Sequence, residues 1–593
     1  MSVRVHKRRG IRIPDLKARR DLPEENIASA CSPCLAALIA TFYVNERCPI
    51  QLSMPKTTIP DHLISRFHEL GVDNAFGIVG DFALRLFSEL SNRGFSVLVT
   101  TDEQGAGFAA DAYARIRGFG VVATTFGVGG LKVGNAAANA WAEQVPLLIL
   151  SGAPGVVERK GEPMLHHRVK DFDTQLRVFT DLTCAQAVLN SPHNAANEID
   201  RVIRTMISTQ RPGYIEVPRD AVTWEIDTSD QSLDPDLPPV NAEAQREAIE
   251  AVLTQLRGHD SAAIHAGAFI ERRGLGPALF DLATSLGIPV ATSSLARGCF
   301  PERHDLGLGV YLGALSPEQV VQRVEGADVL LSLGVMQTDL TLGAFTANID
   351  HHRLILATDT EVTVGYCTFK DVPLWSFLPA LVEASKTESI TIAHDPIPAH
   401  EKFLPTDSSN SVKRTVAALE SHLDSRHGLL LDPGEALFSS VDMRVPTYAH
   451  ASAYYATMGY AVPAALGVGI ADPDRRPVVV VGDGAFSMTG LEVAACAFHH
   501  VNAIFVVLDN NGYGTQRPII DGPFNDIPSL AVENLPSVIG TGLGWKVTTE
   551  SELDHALSTA VASDQVCVIR VMVPTDARSP ALTRLGAALA AKA

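Results

Sequence analysis

An aspartate and an asparagine stand 27 positions apart (510 − 483), each directly after a run of apolar, largely β-branched residues. The first run, Val478 to Val481, is too short for a core helix and reads as a buried parallel strand. Gly482-Asp483-Gly484 follows it, with glycines that permit a sharp turn and a close approach of backbone to ligand. A helical segment from about Thr489 to His499 comes next, its apolar face expected at Leu491, Ala494, Ala495 and Phe498. A second buried strand, Ala503 to Leu508, ends in Asp509-Asn510-Asn511-Gly512-Tyr513. One βαβ crossover would bring both loop tips to the carboxyl edge of a parallel sheet, where open α/β sheets bind ligands. A carboxylate, an amide oxygen and a free backbone carbonyl make a hard oxygen donor set. It suits Mg²⁺, which takes few protein ligands and shares its other positions with water and phosphate. The expected chemistry is therefore a diphosphate held through a metal ion.

GDG followed at this distance by an asparagine pair resembles the signature of thiamine diphosphate enzymes. The resemblance implies thiamine diphosphate and Mg²⁺ as cofactors. It makes Asp483, the Asn510 side chain and the Gly512 carbonyl the metal ligands, with Gly482, Gly484, Ala485 and Tyr513 around the cofactor. In YYATMGY, Met458 lies where the family has the bulky apolar side chain beneath the bent cofactor, and the carbonyl of Ala456 would receive its amino group.

The resemblance extends to the first part of the chain, through GDF, EQGAGFAADAYAR, TTFGVGG and LHHRVKDFDTQ. Glu103 falls at the position of the family's cofactor-activating glutamate. Asp81 with His166 and His167 resembles the acid–base set of the pyruvate, indolepyruvate and phenylpyruvate decarboxylase branch. GVMQTDLTLGAFT resembles a segment of the decarboxylases' central domain. The implied activity is non-oxidative decarboxylation of a 2-keto acid to an aldehyde and CO₂. One position departs from the pattern. Where pyruvate and indolepyruvate decarboxylases carry a glutamate after the asparagine motif, this chain has Gln516, and an amide does not donate a proton as an acid does. Gln516 therefore keeps a second reading open, a carboligase of acyloin- or acetolactate-synthase type. Thr515 and Ile519 would line the substrate pocket, and the small Thr515 leaves room for an aryl or branched side chain. A second histidine pair, His499-His500, reads as a solvated helix end.

These residues need a scaffold, and the periodicity supplies one. From Met54 an amphipathic helix, Ile59 to Leu70, shows Leu63, Ile64, Phe67 and Leu70 on one face. Strands follow at Ala75 to Val79, Ser96 to Thr100, Val121 to Thr125 and Pro146 to Leu150. A helix after Glu103 places Phe108, Ala112 and Ile116 together. GVGG, at 127–130, lacks a full dinucleotide fingerprint and reads as a turn. Alternation of strand and helix predicts an α/β chain of doubly wound parallel sheets. Pro- and Asp-rich residues 233–243 and polar residues 386–411 read as linkers. The expected domains are 54–232 (pyrimidine-binding), 244–385 (central, with strands at Ala262 to His265, Ile288 to Ala291 and Val329 to Leu333) and 412–580 (diphosphate- and metal-binding). A tail, 581–593, is expected to be helical over Ala587 to Ala593.

Residues 1–53 differ from the rest. Their first twenty are basic, a short apolar patch follows, and Cys31-x-x-Cys34 stands between. An Arg-rich start suits a transit peptide, but Glu24 and Glu25 oppose it, and a dispensable extension, disordered or untranslated, is the preferred expectation. A net charge of −19 argues against nucleic acid or an acidic membrane surface as a partner. Eight cysteines scattered over 593 residues form no disulfide framework and suggest a reducing, cytoplasmic setting. No apolar run reaches the roughly 18 residues of a spanning helix. By resemblance, the chain is expected to form a homodimer or homotetramer with active sites at the subunit interface.

Overall fold

The computed structural model describes residues 56–229 and 232–592. The expectations for residues 1–53, Cys31-x-x-Cys34 included, lie outside the described residues. From Lys56 onward the chain forms one compact unit.

Three large sheets organise it. The first has the order Ser96–Val99, Asn74–Gly77, Gly120–Thr124, Leu147–Ala153, Gly213–Pro218, Ala185–Val188, all parallel. The last has the order Ala449–Ala451, His427–Leu431, Arg476–Gly482, Ile504–Asp509, Cys567–Met572, Leu543–Val547, again all parallel. The two topologies are identical. In each, the chain starts one strand in from an edge, steps out to that edge, then crosses back, so the winding direction switches between the first and third strands. That switch opens a crevice at the carboxyl ends, the usual ligand position of a doubly wound sheet.

The middle sheet runs Gly307–Val310, Val290–Thr292, Ala262–Ala266, Val329–Leu333, Leu354–Ala357 in parallel, then ends in an antiparallel hairpin, Glu361–Val364 with Cys367–Lys370. The expected central strands are present to within one or two residues. The hairpin was not anticipated, because it is short and largely exposed and so lacks the apolar run that marks a buried strand.

Local chemistry explains the helix that carries Glu103. It spans Glu103–Arg117, with the Asp102 side chain accepting from Gly105 N at its start and Gly118 in the left-handed conformation at its end. It packs against Ala461–Ala471 so closely that a Cβ on Gly467 would lie 1.9 Å from the Ala109 carbonyl oxygen. Both helices are therefore buried nearly all round, and the first and third domains share one core.

Four expectations are corrected. The crossover after Asp483 is two short helices, Asp483–Thr489 and Glu492–Phe498, not one. Its expected apolar face holds only in part: Ala495 is buried, but Leu491 is 66% and Phe498 73% exposed, whereas Glu492 is 1% exposed. Gly482-Asp483-Gly484 is not a sharp turn; the strand runs straight into the helix, with Gly482 at φ −75°. Gly484 is needed for space, since a Cβ there would lie 2.7 Å from the Tyr513 ring. The C-terminal helix begins earlier than expected, at Pro580, and docks through Ala581, Leu582 and Leu585 beside Val441.

Candidate active site

Asp483 is the first residue after the central strand Arg476–Gly482. Its Oδ1 accepts from Gly484 N at 2.9 Å and its Oδ2 from Gly512 N at 3.0 Å. Asn510 follows the neighbouring strand, Ile504–Asp509. Its amide oxygen stands 3.3 Å from Asp483 Oδ1 and 2.7 Å from the Gly512 carbonyl oxygen. The carboxylate, the amide and the carbonyl thus converge, and the amide turned over donates an N–H to both neighbours. With a cation bound, the amide oxygen would face it instead, and the donor set is the hard-oxygen kind that Mg²⁺ takes. The loop is bent to reach this point. Asn511 has φ 59° and Gly512 φ 151°, and a Cβ on Gly512 would lie 2.1 Å from the Asn525 carbonyl oxygen. Burial, then the neighbouring Asp509 carboxylate, push the Asp483 carboxyl up to about 7. A bound cation would reverse that effect. Asp509 itself is buried and paired with Arg570 at 2.6 Å, and it accepts from Asn511 N at 3.1 Å. The motif's first residue is therefore a brace for the loop.

Met458 and Ala456 lie beyond the edge strand Ala449–Ala451 of the same sheet. Ala456 has φ 57°, an uncommon conformation for a residue with a Cβ, of the kind that gathers at functional sites. Its loop is held from the first domain. Glu143 Oε1 accepts from Tyr454 N and Tyr455 N at 2.8 and 3.1 Å, while Arg115 bridges Glu143 and Asp111 at 2.7 Å each. Met458 is half-buried against the shared core. The next residues are held by Asp432, at the end of the first strand of this sheet, which accepts from Gly459 N at 3.0 Å and Ala461 N at 2.9 Å. Burial pushes the Asp432 carboxyl up to about 7. Sequence reasoning missed Asp432. Its signal was an acid after the apolar run Gly428 to Leu431, the same pattern that marks Asp483.

In the first domain, Glu103 follows the edge strand and opens its helix. Lys132 Nζ lies 3.5 Å from Glu103 and 3.2 Å from Asp102. A Cβ on Gly129 would sit 3.1 Å from Glu103 Oε1, so the glycine leaves the carboxylate open on that side. Asp81, after the first strand, and the histidine pair meet as a cluster. His166 Nε2 is 2.8 Å from Asp81 Oδ2, and its ring stacks on Phe82 at 4.8 Å. The His167 ring stands 4.7 Å from it, edge-on, with φ 64° at His167. One ligand atom from each of the three lies within 4.8 Å of the others. The His167 Nδ1 is buried without a hydrogen-bond partner among the described residues. Gly127 touches this loop closely: a Cβ there would be 2.4 Å from the His167 carbonyl oxygen. Within one chain the structure does not gather the expected substrate-pocket residues into an enclosure. Thr515 is half-buried, Gln516 is exposed, and Ile519 lies open beside Ile520 and Phe524.

Comparison with known proteins agrees with this geometry. Residues 57–176 match the N-terminal TPP binding domain of thiamine pyrophosphate enzymes, residues 249–384 their central domain and residues 436–571 their C-terminal TPP binding domain. The chain is 33% identical over 538 residues to an indole-3-pyruvate decarboxylase of Azospirillum brasilense, covering 89% of this chain and 97% of that protein. It is 31% identical over 536 residues to an alpha-keto-acid decarboxylase of Mycobacterium bovis, covering 88% and 95%. It is 30% identical over 534 residues to one from Mycolicibacterium paratuberculosis, covering 88% and 94%. The chain belongs to the thiamine diphosphate-dependent 2-keto acid decarboxylase family, and its cofactor is thiamine diphosphate.

Proposed function

We propose that this protein removes CO₂ non-oxidatively from an aryl or branched-chain 2-keto acid and releases the aldehyde, using thiamine diphosphate held through Mg²⁺. The observation that carries this reading is that the Asp483 carboxylate, the Asn510 amide and the Gly512 carbonyl meet at two adjacent strand ends. Those three groups would hold the cation, and the cation the diphosphate, with Gly482, Gly484, Ala485 and Tyr513 alongside. When bound, thiamine diphosphate supplies an electron sink for the pair left behind as CO₂ departs. Glu103 would hydrogen-bond the aminopyrimidine and hold the proton that sets its tautomer. Ala456 would accept from the amino group, and Met458 would support the bent cofactor. Asp81 and His166, already 2.8 Å apart, with His167, hold and deliver the proton that the product needs. Thr515 and Ile519 would receive the substrate side chain.

The domain boundaries proposed from sequence, 54–232, 244–385 and 412–580, accord with these roles. Exposed apolar side chains on the loops and helices that follow the sheets' strands, Val128, Tyr455, Met488, Leu491, Phe498 and Ile519, support burial against a second copy. We read the active unit as a homodimer or homotetramer in which Glu103 of one chain faces Asp483 of another. No helix among the described residues is long and apolar enough to cross a membrane. The five described cysteines are free, in keeping with a cytoplasmic enzyme.

Phenylpyruvate, indolepyruvate, 2-ketoisocaproate and pyruvate, each supplied with thiamine diphosphate and Mg²⁺, test the proposal through CO₂ release and aldehyde formation. No CO₂ from any of the four counts against it. Gln516 favours one alternative, carboligation. Acyloin without free aldehyde, when an acceptor aldehyde is present, would select it.

A further inference from the structure

The helix Glu492–Phe498 turns its carboxylate inward beside Val493, Ala495 and Cys496 and leaves Phe498 outward. Glu492 is 1% exposed, and its carboxylate is aimed at the first domain. It accepts from Thr101 N at 3.1 and 3.2 Å, from the Thr101 hydroxyl at 2.6 Å and from Asp102 N at 3.2 Å. His499, one residue past the same helix, contacts the Val99 carbonyl oxygen at 2.8 Å through Nε2. Gly105 completes the fit, because a Cβ there would lie 2.1 Å from Glu492 Oε1. A segment of the third domain thus grips residues 99–102 at two points, and Glu103 is the next residue. The gripping helix follows directly on the one that begins with Asp483.

We propose that Glu492 is a positioning residue for the decarboxylation. It fixes the strand end that presents Glu103, and so ties the aim of Glu103 to the helix pair that starts at the proposed metal ligand Asp483. A buried carboxylate is costly unless its acceptor sites are filled, and here backbone N–H groups and a hydroxyl fill them. A peripheral helix with an ordinary amphipathic pattern would have placed Phe498 inside and Glu492 outside. The inference rests on the proposed function for Glu103, but the grip itself does not.

The test has two arms. In the cofactor-free protein, Glu492→Ala should raise hydrogen–deuterium exchange of residues 99–105 about tenfold or more, with exchange in the central domain unchanged. Unchanged exchange at residues 99–105 overturns the proposal. Should Glu492→Ala fail to fold, Thr101→Val removes one of the bonds and should raise exchange in the same segment. In the second arm, Glu492→Gln should weaken thiamine diphosphate binding, followed by fluorescence titration with Mg²⁺, about tenfold in the wild-type background and not further in a Glu103→Gln background. Equal weakening in both backgrounds means Glu492 does not act through Glu103 and overturns the proposal. If the wild-type protein binds no thiamine diphosphate, the proposed function fails, and the exchange arm still decides whether Glu492 holds the Glu103 loop.

Discussion

Asp483 Oδ2 accepts the backbone N–H of Gly512 across 3.0 Å, so residues 29 apart in sequence meet at one point. This bond pins the loop after one strand to the end of its neighbour, where the Asn510 amide lies between the carboxylate and the Gly512 carbonyl. Replacing Asp483 removes the charge proposed to bind the cation and alters the acceptor that shapes the loop. Asp483→Asn should lower Mg²⁺-dependent retention of thiamine diphosphate by at least about 100-fold. The measurement is cofactor remaining after gel filtration with Mg²⁺ or with a chelator. The chelator should strip the wild-type protein and make little difference to the variant. Retention equal to wild type would remove Asp483 from the metal site.

The Asp81–His166 contact predicts a different phenotype. Neither residue approaches the oxygen cluster in sequence or in hydrogen bonding, so neither should govern cofactor retention. Asp81→Asn and His166→Asn should each lower kcat by about 10²-fold or more while thiamine diphosphate affinity stays within a few-fold. Because the two side chains form one pair, the double variant should lose little beyond the worse single one. A multiplicative loss would show that they act separately.

The parts of the site that could be read in the sequence were those where one strand end states its own chemistry. Four valines before Gly482-Asp483-Gly484, and an apolar run before the asparagine pair, locate both tips without knowledge of their surroundings. The crossover helix could not be read this way. Leu491 and Phe498 have helical spacing, but hydrophobic pattern reports the core only when the polar face meets water. Here the polar face meets residues 99–102 of another domain, and Glu492 is satisfied there. Asp432 shows the strand-end pattern, but its role stayed hidden because its partners, Gly459 N and Ala461 N, are backbone groups that carry no sequence signal. The charged cluster Asp111–Arg115–Glu143 was hidden for a related reason: its members lie in segments whose composition reads as plain alanine-rich helix.

Gln516 stands exposed just after the asparagine loop and has no ionisable proton. Gln516→Glu supplies one at the place where, by resemblance, pyruvate and indolepyruvate decarboxylases carry it. The variant should shift product from acyloin toward free aldehyde when an acceptor aldehyde is present, with a several-fold change in the ratio. Gas chromatography of the two products checks this. An unchanged ratio would mean that Asp81, His166 and His167 already control proton delivery.

Gly467 predicts a purely structural loss. A methyl group there would lie 1.9 Å from the Ala109 carbonyl oxygen, and backbone on both helices must move to admit it. Gly467→Ala should destabilise the protein by about 1–3 kcal/mol, seen as a lower thermal midpoint. It should also weaken the cofactor site, because the same helix pair carries Glu103 at one end and follows Met458 at the other. Gly586→Ala, inside a helix where a Cβ meets open space, is the matched control and should hold or slightly raise the midpoint.

His265 sets an acid limit in the central domain. It lies in the strand Ala262–Ala266, is fully buried, faces Tyr311 edge-on at 5.1 Å, and has no hydrogen-bond partner at Nε2 among the described residues. Burial pushes its pKa down from 6.5 to about 4. The folded protein therefore keeps His265 neutral where the unfolded chain has already taken up a proton. For a histidine depressed on folding, the associated stability is fully present above about 6.5 and is lost as pH falls toward 4. Between pH 7.5 and pH 5 the loss from this residue should be about 2 kcal/mol. His265→Leu removes the titrating group, so the variant's urea midpoint should fall less between those two pH values than the wild type's. Equal falls would place the acid sensitivity elsewhere.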